Sequence, residues 1–327
     1  MKFDFLTIGG ATEDITFYTK EGILINNKKD VLRQNLLAFE YGAKIKVDRA
    51  YSTFGGGAAN TAVSFSKLGF RVATILSLGA DDRGDRIIKN LQKNKVYTKF
   101  IKRTDLVGSS FSFLVAGSDN EHIVFSHRAA NDKLEINSTD LKRIKSAKWI
   151  HLTSLSGDWK KVLQKIFSIN DIKISWNPGY RQLSMGVGVL GKYFKKTSVL
   201  LINKDEAIEL VLSDKKLKNK DNKFLNNTRN LLRIIKAWGP EIVVITSGQK
   251  GADAFDGEKF YHQDILKEKR REDTTGVGDA FGSTFVAGFK IFKGDIQKAM
   301  HAGVKNTASV IGEQGAQNGL LNKKEIL

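Results

Sequence analysis

The chain has 327 residues, 41% of them hydrophobic, and it contains no cysteine. Its length suits one large α/β domain or two smaller ones, and the missing cysteines exclude disulfides and thiolate metal sites. The net charge of +18, from 53 Lys and Arg against 35 Asp and Glu, raises the question of a nucleic-acid partner. The lysines are scattered over polar segments without interleaved aromatic residues, so we predict solvated faces and no specific nucleic-acid binding.

The first apolar run, in MKFDFLTIGG, is short and is interrupted by Asp4. We therefore expect no signal peptide here. No window of the sequence approaches the roughly 18 uncharged apolar residues of a membrane span. The prediction is a cytoplasmic protein that has no membrane partner.

Runs typical of strands alternate with helical patterns along the chain. Strands are predicted at residues 3–8, 71–78, 149–153, 172–176, 198–202 and 241–246. Helices are predicted at residues 58–68, 84–92, 158–167, 228–238 and 280–292. This alternation predicts a mainly parallel sheet covered by helices on both faces.

Two segments break the alternation. Residues 109–126 contain two strand-like runs around Ser118-Asp119-Asn120, which is a hairpin signal. Residues 15–50 are polar and fit no strand–helix unit. Together they are expected to form a small sheet that projects from the core.

Two glycine-rich turns open helices. In DTTGVGDAF, Gly276 and Gly278 precede a long apolar run, and a helix that starts at such a turn aims free backbone N–H groups at one point. In GGGAAN, residues 55–57 are glycines and Asn60 lies in the first helical turn, although a plain loop-to-helix junction would look the same. Neither turn is a dinucleotide fingerprint, because Asn60 and Phe281 occupy the place of its third glycine.

Three further segments follow predicted strands, where ligands bind in open α/β sheets. Asp14 is suited to two neighbouring sugar hydroxyls, and a solvated turn carboxylate is its simpler interpretation. Asn203 and Glu206 fit either a helix cap or a site for phosphate and hydrated Mg²⁺. The segment TSGQKG, residues 246–251, suits either a nucleotide-facing loop or a β-turn.

Other catalytic patterns are absent from the sequence. GVGVLGKY, residues 186–193, nearly matches the P-loop, but Tyr193 replaces the required Ser or Thr and no predicted strand leads into it. The five histidines offer no pair at helical metal spacing, and no G-x-S-x-G elbow occurs. Metalloenzyme and serine-hydrolase functions therefore have no support.

Taken in order, these segments resemble the ribokinase-like carbohydrate kinase family, often called the PfkB family, over nearly the whole chain. DTTGVGDAF is similar to the family's C-terminal signature, with Val277 in place of the common Ala, and GGGAAN is similar to its N-terminal glycine signature. SLGADDRGDRIIKNLQKNKV, HRAANDKL, WNPGYRQL, NKDE and TSGQKGA also follow in the family's order.

The resemblance implies a single domain over residues 1–327, with a three-layer α/β/α core, a mainly parallel central sheet and a small β-sheet lid. Two insertions, at about residues 15–50 and 96–127, would form the lid. The implied activity is ATP-dependent transfer of the γ-phosphate to a hydroxymethyl group of a sugar or nucleoside. Asp279 would be the general base, and Gly276, Val277 and Gly278 would form the anion hole.

The same resemblance assigns the binding residues. The acceptor would contact Asp14, Gly56, Gly57 and Asn60. The nucleotide and its phosphates would contact Asn203, Glu206, Thr246, Gly248 and Gly251, with Glu206 holding Mg²⁺ through water. Counting back from Gly315 places the family's nucleotide-side helix Asn at Val304, so Asn306, two residues on, is the nearest candidate. Asp273 and Thr275 would form half of a monovalent-cation loop for K⁺, although the other half, residues 311–316, departs from the ribokinase pattern.

Alternatives remain open at this stage. A sugar-phosphate acceptor would need a cation, which Lys44, Lys46 or Arg128 would supply. A regulator with this fold would bind ligands without turnover, against which the intact Gly276-to-Asp279 motif argues. Exposed lid edges would also suit a homodimer.

Overall fold

The computed structural model describes residues 2–26, 35–116, 122–268 and 270–327. Its strands are β1 (Phe5–Ile8), β2 (Thr12–Tyr18), β3 (Ile23–Asn26), β4 (Asn35–Ala38), β5 (Arg49–Gly55), β6 (Val72–Ile75), β7 (Ser77–Gly79), β8 (Lys102–Thr104), β9 (Phe111–Ala116), β10 (His122–His127), β11 (Trp149–Leu152), β12 (Lys173–Trp176), β13 (Val199–Asn203), β14 (Ile242–Thr246), β15 (Ala252–Phe255) and β16 (Phe260–Gln263). Its helices are α1 (Gly57–Lys67), α2 (Asp82–Lys93), α3 (Ser138–Lys145), α4 (Trp159–Phe167), α5 (Tyr180–Leu183), α6 (Gly186–Phe194), α7 (Lys204–Leu212), α8 (Asn222–Asn226), α9 (Thr228–Ala237), α10 (Val277–Ile291), α11 (Ile296–Ile311) and α12 (Lys323–Ile326). Short 3₁₀ turns lie at Ala129–Lys133 and Gly248–Lys250.

The central sheet has eight strands in the order β16-β15-β14-β13-β12-β11-β1-β6. The pairs from β14 to β6 are parallel, whereas β15 and β16 are antiparallel. The six strands predicted for the core are confirmed, but the run at 71–78 is divided. Its first half, β6, pairs with β1, and its second half, β7, turns away to pair with β8.

Strand β1 shows how the sheet separates two hydrophobic cores. Phe5 packs with the core that contains α1, α2, α10, α11 and α12. Leu6 and Ile8 pack on the other face, with helices α3 to α9. Both faces are therefore apolar, as expected of a parallel sheet covered on both sides, and the architecture is three-layered.

A second, four-stranded sheet has the order β10-β9-β2-β5, and β3 pairs with β4 in a separate hairpin. We call the four-stranded sheet the lid. It begins at Thr12, earlier than the insertion expected at 15–50, because β2 continues almost directly from the core strand β1. The insertion expected at 96–127 contributes only β9 and β10, since Lys102–Thr104 pairs with β7 beside the core. The predicted turn Ser118-Asp119-Asn120 lies outside the described residues.

Two further expectations concern helices. The segment resembling a P-loop forms α6, a helix that does not follow directly on a strand, and this agrees with its rejection. In the described part of the chain, no helix combines the length and the apolar character needed to cross a membrane.

Candidate active site

The N-terminus of α10 is the centre of the site. Gly276 caps this helix with a φ of 76°, and a Cβ there would collide with Ala316. A left-handed residue at this point therefore has to be glycine. Among the described residues, no hydrogen-bond acceptor is paired with the backbone N–H groups of Gly276, Gly278 and Asp279. These amides and the positive end of the helix dipole make the turn chemically suited to an anion.

Asp279 lies in the first turn of α10, as predicted, although the helix starts at Val277 rather than at residue 280. Its Oδ2 accepts a hydrogen bond of 2.8 Å from Nδ2 of Asn60. One turn later, the hydroxyl of Ser283 donates to that of Ser64 at 2.7 Å. The two bonds join α1 and α10 side by side, and they bring the two glycine-rich motifs together.

Burial raises the pKa of the Asp279 carboxyl above its ordinary value of 3.8. The hydrogen bond from Asn60 acts in the opposite direction, and the charge of Asp14 raises this pKa further. A carboxylate whose pKa moves toward neutrality becomes a better proton acceptor.

Asp14 lies on β2 of the lid and is buried. It is therefore not a solvated turn residue, as its simpler interpretation required. Burial raises its pKa, hydrogen bonds from Ser112 and Thr12 lower it, and the charges of Asp273 and Glu13 raise it. The charge of Asp14 acts on the Asp279 carboxyl, so the lid carboxylate lies on the side of the lid nearer to the start of α10.

The GGGAAN segment at the start of α1 also needs glycine at two positions for steric reasons. Gly56 caps α1 with a φ of 89°, and a Cβ there would collide with the backbone of Ala11. Gly57 begins α1 against the side chain of Thr153. The junction therefore needs a positive φ, and it also brings the start of α1 to the site.

A polar cavity of about 270 Å³ adjoins Asp279. Its lining residues are Asn177, Leu201, Ile202, Asn203, Glu206, Thr246, Gly276, Gly278, Asp279, Phe281 and Gly282. Asn203 and Glu206 form the capping box that one interpretation predicted: Oδ1 of Asn203 accepts from the Glu206 amide, and Oε2 of Glu206 accepts from the Asn203 amide, each at 2.9 Å. Burial raises the pKa of Glu206. Asn203 and Glu206 therefore cap α7 and also line the cavity.

A larger groove of about 450 Å³ continues from the first cavity across Asn203, Thr246, Gly278 and Phe281. The further lining residues are Gly248, Gln249, Gly251, Ala252, Ile265, Leu266, Glu268, Arg271, Thr274, Val277, Val304, Thr307, Ala308 and Ile311. Thr246, Gly248 and Gly251, which the sequence predicted to contact a nucleotide, all line this groove.

Asn306 is not brought to this groove. It is fully buried, its Nδ2 donates to the Thr284 hydroxyl at 2.6 Å, and its Oδ1 accepts from the Leu321 amide at 2.8 Å. Val304 lines the groove instead. The helical repeat explains the difference, since a shift of two residues turns a side chain to the opposite face.

Asp273 and Thr275 lie in the loop before α10. The Asp273 carboxylate accepts N–H groups from Thr275 at 2.8 Å, Gly315 at 2.9 Å and Gln314 at 3.3 Å. The Thr275 hydroxyl is buried and has no hydrogen-bond partner within the described chain. No group of three or more His, Asp or Glu residues suited to a metal ion occurs among the described residues.

The family model for "pfkB family carbohydrate kinase" matches residues 29–323. The chain belongs to this family. A similar relative is the ATP-dependent 6-phosphofructokinase of Thermoanaerobacterium thermosaccharolyticum, which is 26% identical over 92% of this chain and 94% of its own length. Asp14 precedes the stretch that the family model matches.

Solved structures show that this pfkB family member has the ribokinase fold. The structure of Arabidopsis thaliana ribokinase complexed with ribose and ATP superposes with a TM-score of 0.79 at 18% identity, covering 100% of this chain and 98% of that one. A putative ribokinase II from E. coli in complex with ATP and Mg²⁺ gives 0.75 at 18% identity, covering 99% and 97%.

The residues of the candidate site fit a magnesium nucleotide. The free amides at the start of α10 suit phosphate oxygens, and the neighbouring groove has the apolar side chains of Ile265, Leu266 and Ile311 to pack on a base. Glu206 has Oε1 free of the capping bond, so it can accept from a metal-bound water.

The sequence predictions missed several residues in and around the candidate site. Asn177, which lines the smaller cavity, stands in the quoted WNPGYRQL segment but had no assigned role. Gln317, whose Nε2 donates to Oδ1 of Asn60 at 2.9 Å, lies 257 positions away along the chain. Glu13 pairs with Arg83 and Arg86, each at 2.8 Å, and joins the lid to α2. Only the fold reveals these contacts, because sequence spacing carries no signal for them.

Proposed function

We propose that the protein is an ATP-dependent phosphotransferase that transfers the γ-phosphate to a hydroxymethyl group of a sugar or nucleoside. The proposal rests on one observation. The Asp279 carboxylate lies at the same helix N-terminus as the backbone amides of Gly276 and Gly278, which have no hydrogen-bond acceptor among the described residues. Phosphoryl transfer needs positioning and charge stabilisation more than covalent chemistry. A proton acceptor beside an anion site supplies both.

In the proposed mechanism, the lid and core hold the acceptor between them. Asp14 accepts hydrogen bonds from two neighbouring hydroxyls, and Gly56, Gly57 and Asn60 complete the acceptor pocket. Oδ2 of Asp279 is bonded to Asn60, which leaves Oδ1 to face the reacting hydroxyl. As the acceptor oxygen forms its bond to phosphorus, its O–H bond breaks and the proton moves to Oδ1 of Asp279.

The glycine amides stabilise the charge on the transferred phosphoryl group. The bond from phosphorus to the bridging oxygen then breaks, and ADP leaves. Bound Mg²⁺ would neutralise charge on the phosphates. Glu206 would hold it through water, and Asn203 would contact the phosphates. The groove lined by Thr246, Gly248 and Gly251 would hold the rest of the nucleotide.

We also propose that Asp273 and Thr275 belong to a K⁺ site. The unpaired buried hydroxyl of Thr275 supports this, since an oxygen without a donor suits a cation. Because the loop is continuous with Gly276, a cation there would stabilise the anion-binding turn. Potassium should then raise turnover relative to an equal concentration of a large organic cation.

A second candidate acceptor is a sugar phosphate. The similarity to a 6-phosphofructokinase over most of the chain favours it. Arg128 directly follows β10, and its backbone carbonyl accepts from the hydroxyl of Ser110, which places it next to the lid strand β9. Because Arg128 is exposed, its guanidinium is available to a second phosphate. Lys44 and Lys46 are exposed in the segment that precedes β5.

The deciding experiment is a coupled ADP-release screen with Mg-ATP against pentoses, hexoses, their phosphates and nucleosides. We expect turnover with one of these classes. If only phosphorylated sugars react, Arg128→Ala should raise the acceptor KM while the ATP KM stays unchanged. If calorimetry detects ligand binding but no acceptor leads to ADP release from ATP, the result would favour a regulator and reject the phosphotransferase.

The lid is also the surface that we propose for a homodimer. Phe113 of β9 and Phe125 of β10 face each other across the ladder, on the side opposite to Asp14. Phe125 is 59% exposed. Strand β10 lies at the edge of the described sheet, where it pairs with β9 and its other side has no partner strand. An apolar face beside an unpaired edge favours association with a second copy.

A further inference from the structure

A chain of side-chain amides leads from α2 to the candidate base. Nδ2 of Asn90 donates to Oε1 of Gln317 at 2.8 Å, and Nε2 of Gln317 donates to Oδ1 of Asn60 at 2.9 Å. Nδ2 of Asn60 then donates to Oδ2 of Asp279 at 2.8 Å. Each amide accepts at its oxygen and donates from its nitrogen, so all three bonds point toward the carboxylate.

We propose that Gln317 is a positioning residue for Asp279, because its amide fixes which way Asn60 faces. This proposal rests on the proposed function, in which Asp279 is the general base. An amide group can turn by half a rotation and exchange its oxygen with its nitrogen. If Asn60 turned in this way, its oxygen would meet the Asp279 carboxylate and two acceptors would oppose each other. Gln317 prevents the turn by donating to the Asn60 oxygen.

Burial and backbone contacts give this arrangement its specificity. Asn60 is 4% exposed and Gln317 is 8% exposed, so an amide that lost its partner would lack water to replace it. The ammonium group of Lys67 donates to the backbone carbonyls of Gln317 and Leu320, each at 3.2 Å. The loop that presents Gln317 is therefore fixed through its main chain, and the side chain is free to serve Asn60.

The Asn60 bond acts on the proton affinity of the base. It lowers the pKa of Asp279 against the raising effects of burial and of Asp14, and Glu206 lines the same cavity. The helices packed on α10 carry other charged groups, which are Lys67 on α1 and Lys298, His301 and Lys305 on α11. Turning Asn60 would therefore raise the pKa of Asp279 and leave it protonated over a wider range of pH.

Asn90→Asp tests the polarity of the chain from its outer end. Asn90 lies at the wall of an open polar cavity of about 270 Å³, so a new carboxylate there stays hydrated. A carboxylate only accepts, so Gln317 would turn its nitrogen outward and its oxygen toward Asn60, and Asn60 would turn in response. We expect kcat at pH 6 to fall about tenfold and the acidic limb of its pH profile to rise by about one unit. Activity should recover at higher pH, with the ATP KM within about twofold of wild type.

Two matched variants separate this effect from its alternatives. Asn94→Asp adds the same charge one turn later on the same cavity wall, where the native side chain donates to the Asn90 carbonyl at 2.9 Å. An equal pH shift in that variant would make the effect one of charge at a distance and overturn the positioning role. Gln317→Met removes the amide without adding charge and should shift the limb upward as well, whereas Asn318→Leu beside it should not.

A second readout does not need turnover. Carbon-13 NMR of protein labelled at the aspartate γ-carboxyls gives the pKa of Asp279 directly, with Asp279→Asn identifying its signal. We expect a higher pKa in Asn90→Asp and in Gln317→Met than in wild type. If the wild-type protein turns over no acceptor but the variants still shift the pKa of Asp279, the proposed function is rejected and the positioning role is kept. An active enzyme without the shift would overturn the positioning role alone.

Discussion

At the residue scale, Asp279 decides between a catalytic role and a structural one, since it lies inside the first turn of α10 and bonds Asn60. Asp279→Asn keeps the size of the side chain, and its oxygen can still accept from Asn60. We expect kcat to fall by roughly 10²- to 10⁴-fold, since the proton acceptor is lost. ATP affinity should hold or improve because a negative charge beside the phosphates is removed. Gly276, not Asp279, caps α10, so normal turnover would reject the base and leave Asp279 only its hydrogen bond with Asn60.

The same substitution has a predicted effect on stability. The folded pKa of Asp279 is raised, so its favourable contribution is present at pH values below its ordinary pKa and is lost as the pH rises through the folded value. At neutral pH the buried charge therefore costs stability. Asp279→Asn should have a higher Tm than wild type at pH 7, and the difference should shrink toward pH 4. Thermal melts at both pH values measure it.

Asp14 and Glu13 are adjacent on β2 and point to opposite faces of the lid, which makes them a matched pair. Asp14→Asn should raise the acceptor KM by about tenfold or more, because charged hydrogen bonds to hydroxyls are the stronger ones. The ATP KM should change little. Steady-state kinetics with the acceptor found in the screen tests this, and an unchanged acceptor KM would remove Asp14 from the site.

Glu13→Gln is the control for that variant. Burial raises the pKa of Glu13, but hydrogen bonds from Arg86, Ser52 and Arg83 outweigh it and hold the pKa below its ordinary value. A lowered pKa gives stability that is present above the ordinary pKa and is lost as the pH falls through the folded value. Glu13→Gln should therefore lower the Tm at pH 7 and leave the acceptor KM nearly unchanged.

At the element scale, the start of α10 uses two glycines for different reasons. Gly276 has a φ of 76° and faces Ala316, so Gly276→Ala should destabilise the fold. At Gly278, by contrast, an added Cβ meets no atom within 4 Å among the described residues, and Gly278 lines both cavities. Gly278→Ala should keep the wild-type Tm and lose kcat by about tenfold or more, because the methyl group displaces a phosphoryl oxygen. Melting curves and kinetics on both variants check the contrast, which equal Tm losses would contradict.

The elements also show what the sequence could predict. The core strands and the helices α1, α2, α4, α9 and α10 were predicted to within three residues, because apolar periodicity and glycine turns are local signals. The four-stranded sheet does not follow the approximate bounds expected for the lid, because β2 begins soon after β1 and because β8 pairs with β7 through a contact distant in sequence. Asp279 and Asn60 were assigned from motifs, whereas Gln317 and Asn90 required the folded chain to bring four segments together.

At the scale of the whole molecule, the net charge is +18, and the lysines are scattered along the sequence. Some of the basic residues are paired with carboxylates, as in Lys102 with Asp140 at 2.5 Å and Lys148 with Asp4 at 3.1 Å. The affinity for duplex DNA should therefore be weak and should fall steeply between low and physiological salt, because counterion release would be the main contribution to the binding free energy. Filter binding across a salt series measures this. Tight, sequence-selective binding at physiological salt would show a nucleic-acid function.

The last prediction concerns association through the lid. If a second copy covers its outer face, Phe125→Glu should convert the dimer to a monomer, since the new charge would be buried without a partner. Folding should be preserved, because Phe125 is 59% exposed in the single chain. Val124→Glu is the control: Val124 is 51% exposed and points to the opposite face of the same strand. Sedimentation velocity should show a dimer for wild type and for Val124→Glu and a monomer for Phe125→Glu. A wild-type monomer at micromolar concentration would refute the interface, and a dimer that survives Phe125→Glu would move it to another surface.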